Sequence, residues 1–198
     1  MYIIIKVYSL SPKIYSIINK EDSTIVLYIT HDTLRYFKLQ EGEWKFLNID
    51  EIKDFNYKII RQRFFEYLSK REVSPNKALE WLKKRKLDHY LIDKYMEEAR
   101  MMGFISEDRY IDIILEKYKR SGKSLWYIKN KLRQAGIKED KISNILFDEK
   151  EVLKNYILKN LNKLKKDKRK FINHLLYKGF KYENIINTLN YIEESENL

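Results

Sequence analysis

Few side chains in this sequence have the type and spacing that covalent chemistry requires. The three histidines, His31, His89 and His174, lie in separate segments, and none stands in an H-E-x-x-H or similar ligand spacing. Glu97-Glu98 and Glu107-Asp108 are adjacent carboxylates. Successive helix residues do not share a face, so neither makes a general acid/base pair. Glu107-Asp108 reads instead as acidic charge at a helix start, which the macrodipole favours. The chain has no cysteine, which excludes thiolate metal sites, disulfides and a thiol nucleophile. No G-x-x-x-x-G-K-[ST] loop is present to cradle a nucleotide. On these grounds the sequence reads as a non-enzyme with no cofactor and no metal.

What does recur is positive charge beside aromatic rings. Lys83, Lys84 and Arg85 follow Trp81. Lys129, Lys131 and Arg133 follow Trp126, Lys178 and Lys181 follow Tyr177, and Lys168, Arg169 and Lys170 add charge at the start of the corresponding third helix. Such interleaving can build stacking platforms on a phosphate track. Core packing is the plainer role for Trp81 and Trp126, which fall near apolar positions. For the lysines the plainer role is solubility. The charge is unevenly placed. Residues 1–56 carry 7 Lys+Arg against 8 Asp+Glu, and the remainder carries 33 against 21, so the net charge of +11 belongs to the later region. That is the electrostatic footprint expected for a polyanion or for a partner bound to one.

The elements that must position these residues are visible as an internal repeat. Ile60, Phe64 and Leu68 recur fifty residues on as Tyr110, Ile114 and Tyr118, and forty-three residues later as Leu153, Ile157 and Leu161. The same offsets relate Ala78, Ile128 and Phe171; Leu82, Leu132 and Leu175; Leu87, Ile137 and Phe180; Ile92, Ile142 and Ile185; and Met96, Leu146 and Leu189. Apolar columns held in one register predict tandem copies of a three-helix unit, and such arrays favour a binding surface over a catalytic pocket. Lys83 and Arg133 are equivalent under these offsets, one residue after a core leucine. Ser74, Ser124 and Asp167 are also equivalent, and each is a good N-cap for a second helix, with Pro75 at N1 of the first copy. Gly136 and Gly179 are placed to end that helix in a left-handed C′ position, where the first copy has Lys86 and must accept some strain. Gly103 closes the last helix of the first copy, and Lys159–Lys170 reads as a loop or a frayed helix end.

Residues 1 to about 47 read differently. Tyr2–Val7, Lys13–Ile18 and Thr24–Thr30 are rich in β-branched and aromatic residues and predict strands. His31–Leu39 suits a short helix, Glu41-Gly42 a turn before Trp44, and a long helix begins near Asn48 or Asp50 and runs to Val73. The segmentation is therefore 1–47 as a β-rich extension, then helical repeats over 48–102, 103–148 and 149–198. The fold class is mainly α. No apolar run reaches transmembrane length and the first residues lack a signal-peptide pattern, so a cytoplasmic protein without a membrane partner is expected.

Gly103-Phe104-Ile105-Ser106-Glu107-Asp108-Arg109-Tyr110 resembles the G-L-I-D-D-x-x-Y/F-A signature of RecX, the regulatory family of the recombinase RecA. Lys119-Arg120-Ser121-Gly122-Lys123-Ser124 with Ile128, Leu132, Arg133, Gly136 and Ile137 resembles the family's R-x-x-G-x-x-x-I-x-x-x-L-x-x-K-G-I. Ala78–Leu82 with Arg85 is similar to its A-L-x-x-L-x-x-R element. Ile111 departs from the usual alanine, and Ala135 from the usual lysine before Gly136-Ile137. The resemblance covers nearly the whole chain. It implies three-helix units in an elongated, curved body, a monomer that binds in the helical groove of the RecA filament on single-stranded DNA. It also implies modulation, in the inhibitory sense, of RecA ATPase, filament extension and strand exchange, and weak direct DNA binding in some members. The candidate partner-binding residues are Lys83, Arg85, Lys129, Arg133, Lys168 and Arg169. The alternative is a sequence-independent DNA-binding protein built from helix-turn-helix-like units.

Overall fold

The computed structural model describes residues 1–7 and 12–196. The chain divides into two compact units, Met1–Ser106 and Glu107–Leu198.

In the first unit, β1 (Tyr2–Val7), β2 (Ile14–Asn19), β3 (Ile25–Thr30) and β4 (Gly42–Trp44) form an antiparallel sheet in the order β3-β2-β1-β4. β2 has a neighbour on each side and is buried from Ile14 to Ile17. Of the two residues expected to turn before Trp44, Glu41 lies in a bend and Gly42 begins β4, where Gly42 pairs with Ile4 and Trp44 with Tyr2. A three-residue strand that opens on glycine is too short to show a period of two. α1 (His31–Tyr36) follows β3 directly, with Thr30 as its N-cap.

α2 (Ile49–Ser69) is capped by Asn48 and ends four residues before the expected Val73. Its first half serves the sheet. Ile52 is buried with Ile4, Ile17, Leu27, Ile29 and Leu34, and Ile49 and Tyr57 pack against them. Asn56, fully buried at mid-helix, accepts from Thr30 N–H (3.0 Å) and the Thr33 hydroxyl (2.8 Å) and donates to Tyr28 C=O (3.0 Å). The second half of α2 presents Ile60, Phe64 and Leu68 to α3 (Pro75–Lys83) and α4 (His89–Met101), where Ala78, Leu82, Ile92 and Met96 complete a second core.

The second unit holds α5 (Glu107–Arg120), α6 (Leu125–Gln134), α7 (Glu139–Ser143), α8 (Glu149–Leu158), α9 (Leu161–Lys166), α10 (Lys168–Tyr177) and α11 (Tyr182–Glu196). One core joins Ile111, Ile114, Ile128, Leu132, Ile137 and Ile142. Another joins Leu153, Ile157, Phe171, Leu175, Phe180, Ile185 and Leu189. Leu146 is the exception among the apolar columns, 94% exposed. α7 stops at Ser143, so the column position falls beyond the helix, and Phe147 packs against both cores instead.

The second helices start and stop as their sequences direct. The side chains of Ser74, Ser124 and Asp167 accept from the N–H groups of Lys77, Tyr127 and Lys170. Beyond the other end, Lys86, Gly136 and Gly179 all take positive φ, at 56°, 81° and 93°. The left-handed turn is thus imposed by the fold, and at position 86 a lysine adopts it.

Candidate partner-binding surface

The six candidate residues fall into three physical situations. Lys83, at the end of α3, and Arg169, on α10, are exposed, and Lys129 on α6 is half-buried. Among the described residues no carboxylate pairs with any of the three. They keep their charge available to a partner.

Arg133 and Lys168 are exposed but engaged. Arg133 forks onto Glu139, with Nε to Oε2 at 3.0 Å and Nη2 to Oε1 at 2.7 Å, and it donates to Asn130 Oδ1 at 3.1 Å. The bond to Glu139 holds Arg133 above the ordinary guanidinium range, and the bond from Arg133 holds Glu139 below the ordinary carboxylate range. Lys168 pairs with Glu193 at 2.7 Å. Exposed pairs of this kind are worth little in stability and can exchange partners readily.

Arg85 does not project outward. Its guanidinium lies 3.0 Å from the centroid of the Trp81 ring, and Nη1 donates to Trp81 C=O at 2.6 Å. Trp81 stacks in turn on Tyr67 and lies tilted against Phe64. Burial pulls the Arg85 pKa down to about 10, against the opposing pull of Asp32 and Tyr67, so it stays charged at neutral pH. Arg85 also lines a small cavity of about 160 Å³ with Pro12, Lys13, His31, Asp32 and Arg63, between the extension and the first helices. It braces the first unit from inside. Under the repeat offsets Arg85 is equivalent to Ala135 and Lys178. Lys178 is likewise buried on an aromatic face, 4.1 Å from the centroid of Tyr156. Nothing in the sequence sets Arg85 apart from Lys83 and Lys84, and the inward role follows from its packing on Trp81.

The two repeat tryptophans separate. Trp81 is core-packed, whereas Trp126 on α6 is 64% exposed. The spacing i, i+3, i+7 puts Trp126, Lys129 and Arg133 on one face of α6. Trp126 also lies against Gly179, where an added Cβ would stand 3.2 Å from its ring.

Electrostatic bracing elsewhere is local. Arg61 makes a two-pronged pair with Glu98, tying α2 to α4, and Lys141 reaches Asp108 at 2.7 Å, tying α7 to α5. Among the described residues no group of three or more histidines, aspartates or glutamates could hold a metal ion, and no helix is long and apolar enough to cross a membrane.

Comparison with known proteins places this architecture among relatives. The chain is 27% identical over 181 residues to the regulatory protein RecX of Streptococcus agalactiae serotype V, covering 85% of this chain and 69% of that one. It is 28% identical over 169 residues to the regulatory protein RecX of Streptococcus uberis, covering 79% of this chain and 65% of that one. The chain thus spans about two thirds of the length of these relatives. A crystal structure of a regulatory protein RecX superposes with a TM-score of 0.57 at 20% identity, over 94% of this chain and 100% of that one. The crystal structure of RecX from Lactobacillus salivarius gives 0.59 at 18% identity, over 69% of this chain and 96% of that one. No family model matches the chain.

Proposed function

We propose, from the premise that this chain belongs to the RecX family, that it binds the RecA filament on single-stranded DNA in its helical groove. It limits RecA ATP hydrolysis, filament extension and strand exchange. It does so by occupying the groove, without catalysis and without a cofactor. The observation that carries this reading is likeness to curated regulatory RecX proteins over most of the chain. The helical units with their exposed basic positions support it, since one weak contact per unit becomes strong when units are linked. The three-repeat segmentation at 48–102, 103–148 and 149–198 belongs to the same proposal, as does action as a monomer in the cytoplasm.

The test is RecA ATPase on single-stranded DNA with increasing amounts of this protein. A wedge acts on many subunits at once, so the rate should fall at well under one copy per RecA. An unchanged rate at equimolar folded protein would refute the reading. The exposed Trp126 beside Lys129 favours one second reading, a direct single-strand binder. Such a protein would hold DNA without RecA and lose affinity steeply with salt.

A further inference from the structure

Tyr156 on α8 is the floor of a cluster that carries positive charge and, among the described residues, no paired carboxylate. Lys178 lies over its ring, and Lys178 Nζ donates to Ser121 C=O at 2.6 Å. The Tyr156 hydroxyl and His174 Nε2 are 3.0 Å apart, with the two rings stacked. Gly122 backs onto the same ring so closely that a Cβ there would collide with it. The next residue, Lys123, holds its ammonium over the neighbouring Tyr127 ring, 4.3 Å from the centroid, within electrostatic reach of the cluster. The turn is pinned by Ser124 N–H donating to Lys178 C=O at 3.1 Å. From the other side, Asn160 donates to Tyr156 C=O at 2.8 Å and begins α9, which carries Lys163.

Lys123 and Lys163 both act electrostatically on His174 and on Lys178. Burial first, and then the neighbouring lysines, with Lys178 foremost for His174, hold both groups below their ordinary pKa values. Among the described residues no carboxylate pairs with Lys123, Lys163 or Lys178. Ion pairs of this unit include those of Arg120, Arg133, Lys141 and Lys168. The acid nearest in sequence to the start of α8, Glu149, accepts from Leu125 N–H at 2.6 Å. Three ammonium groups and an imidazole gathered without an acid repel one another, and an anion removes that repulsion. Lys178 has two ammonium hydrogens left after its bond to Ser121, and His174 and Lys163 are exposed.

We infer that this cluster is a phosphate-binding site, in which Lys123, Lys163 and Lys178 supply charge and His174 and Tyr156 supply hydrogen bonds to a phosphate oxyanion, free or in a phosphodiester. The inference does not rest on the RecA reading. An anion seated there favours the protonated imidazole, so binding and His174 protonation are linked in both directions.

The chain's three histidines make the test direct. Histidine ring signals are followed by NMR in the full chain while inorganic phosphate, or a single-stranded oligothymidine, is added at constant ionic strength. The His174 signal is assigned with His174→Gln. It should move saturably and its titration midpoint should rise, while His31 and His89 stay put. Lys123→Gln with Lys163→Gln, one change at a half-buried and one at an exposed position, should weaken the response at least tenfold while the protein keeps a cooperative melt. Saturation by oligonucleotide at tenfold lower phosphate content than by inorganic phosphate would identify a nucleic-acid backbone as the source. Equal potency would identify free phosphate. A His174 signal that neither ligand moves, or that moves only in step with His31 and His89, overturns the site.

Discussion

Lys86, Gly136 and Gly179 are equivalent under the offsets of the sequence pattern and share one backbone conformation. A lysine there bears a left-handed cost of about 1–2 kcal/mol that glycine does not. Glycine gives some of that back through the entropy of its unfolded chain. Lys86→Gly should therefore stabilise the protein by about 0.5–1 kcal/mol, read as a higher denaturant midpoint at unchanged slope. Gly179→Ala should move the midpoint the other way and further, because its Cβ would press on the Ser124 hydroxyl that caps α6. A neutral Lys86→Gly would mean that the lysine side chain offsets the strain. These positions were legible in the sequence because a cap or a C′ residue acts through its own backbone and its nearest neighbours. Arg85 was not. It looks like its neighbours Lys83 and Lys84, and only tertiary packing against Trp81 and Tyr67 turns it inward.

Among the elements, α2 does two jobs. Its first half belongs to the sheet and its second half to the helical core. Removal of residues 1–47 should leave α3, α4 and α2 from Ile60 onward folded, since their core lies in that part of the chain. The stretch Ile49–Asn56 loses the partners of Ile52 and leaves Asn56 without the three bonds it makes to Tyr28, Thr30 and Thr33. Roughly two turns of helix should fray. In hydrogen exchange, amides before Tyr57 should lose protection while those of Ile60–Leu68 keep it. Loss of the whole cooperative melt would show that the extension completes the helical core. The sequence showed the helix and its cap at Asn48 but not this division of labour. Isoleucines look alike whether they face a sheet or a helix, so only the fold assigns Ile52 to one core and Ile60 to the other.

For the molecule as a whole, the decisive quantity is where charge stands unpaired. Lys83 in the first unit, and Lys129, Lys168 and Arg169 in the second, can be reversed to Glu without opening a core, because each is exposed or half-buried and at most one makes an ion pair. Surface changes of this kind cost little stability. Binding to the RecA filament should fall more than tenfold, or about 1.4 kcal/mol, and the deficit should shrink at high salt. Arg85→Glu is the contrasting variant. It should lower the melting temperature, because it puts a carboxylate against the Trp81 face in a half-buried site that holds a cation. Full filament binding by the folded quadruple variant would move the contact surface elsewhere.

The exposure of Trp126 makes the chain its own optical probe. Trp81 sits under a guanidinium and beside Tyr67, and Trp44 donates its indole N–H to Gln40 C=O at 2.9 Å. Trp126 alone of the three indoles is more than half open to solvent. Its emission should therefore be the most red-shifted and the most easily quenched by solutes. Because Lys129 and Arg133 share its helix face, iodide should quench it more than caesium does. A partner laid along that face would shift the emission to the blue and shield it from iodide, so occupancy of α6 can be followed in solution without a label. A fluorescence spectrum indifferent to saturating filament would place the partner on another face.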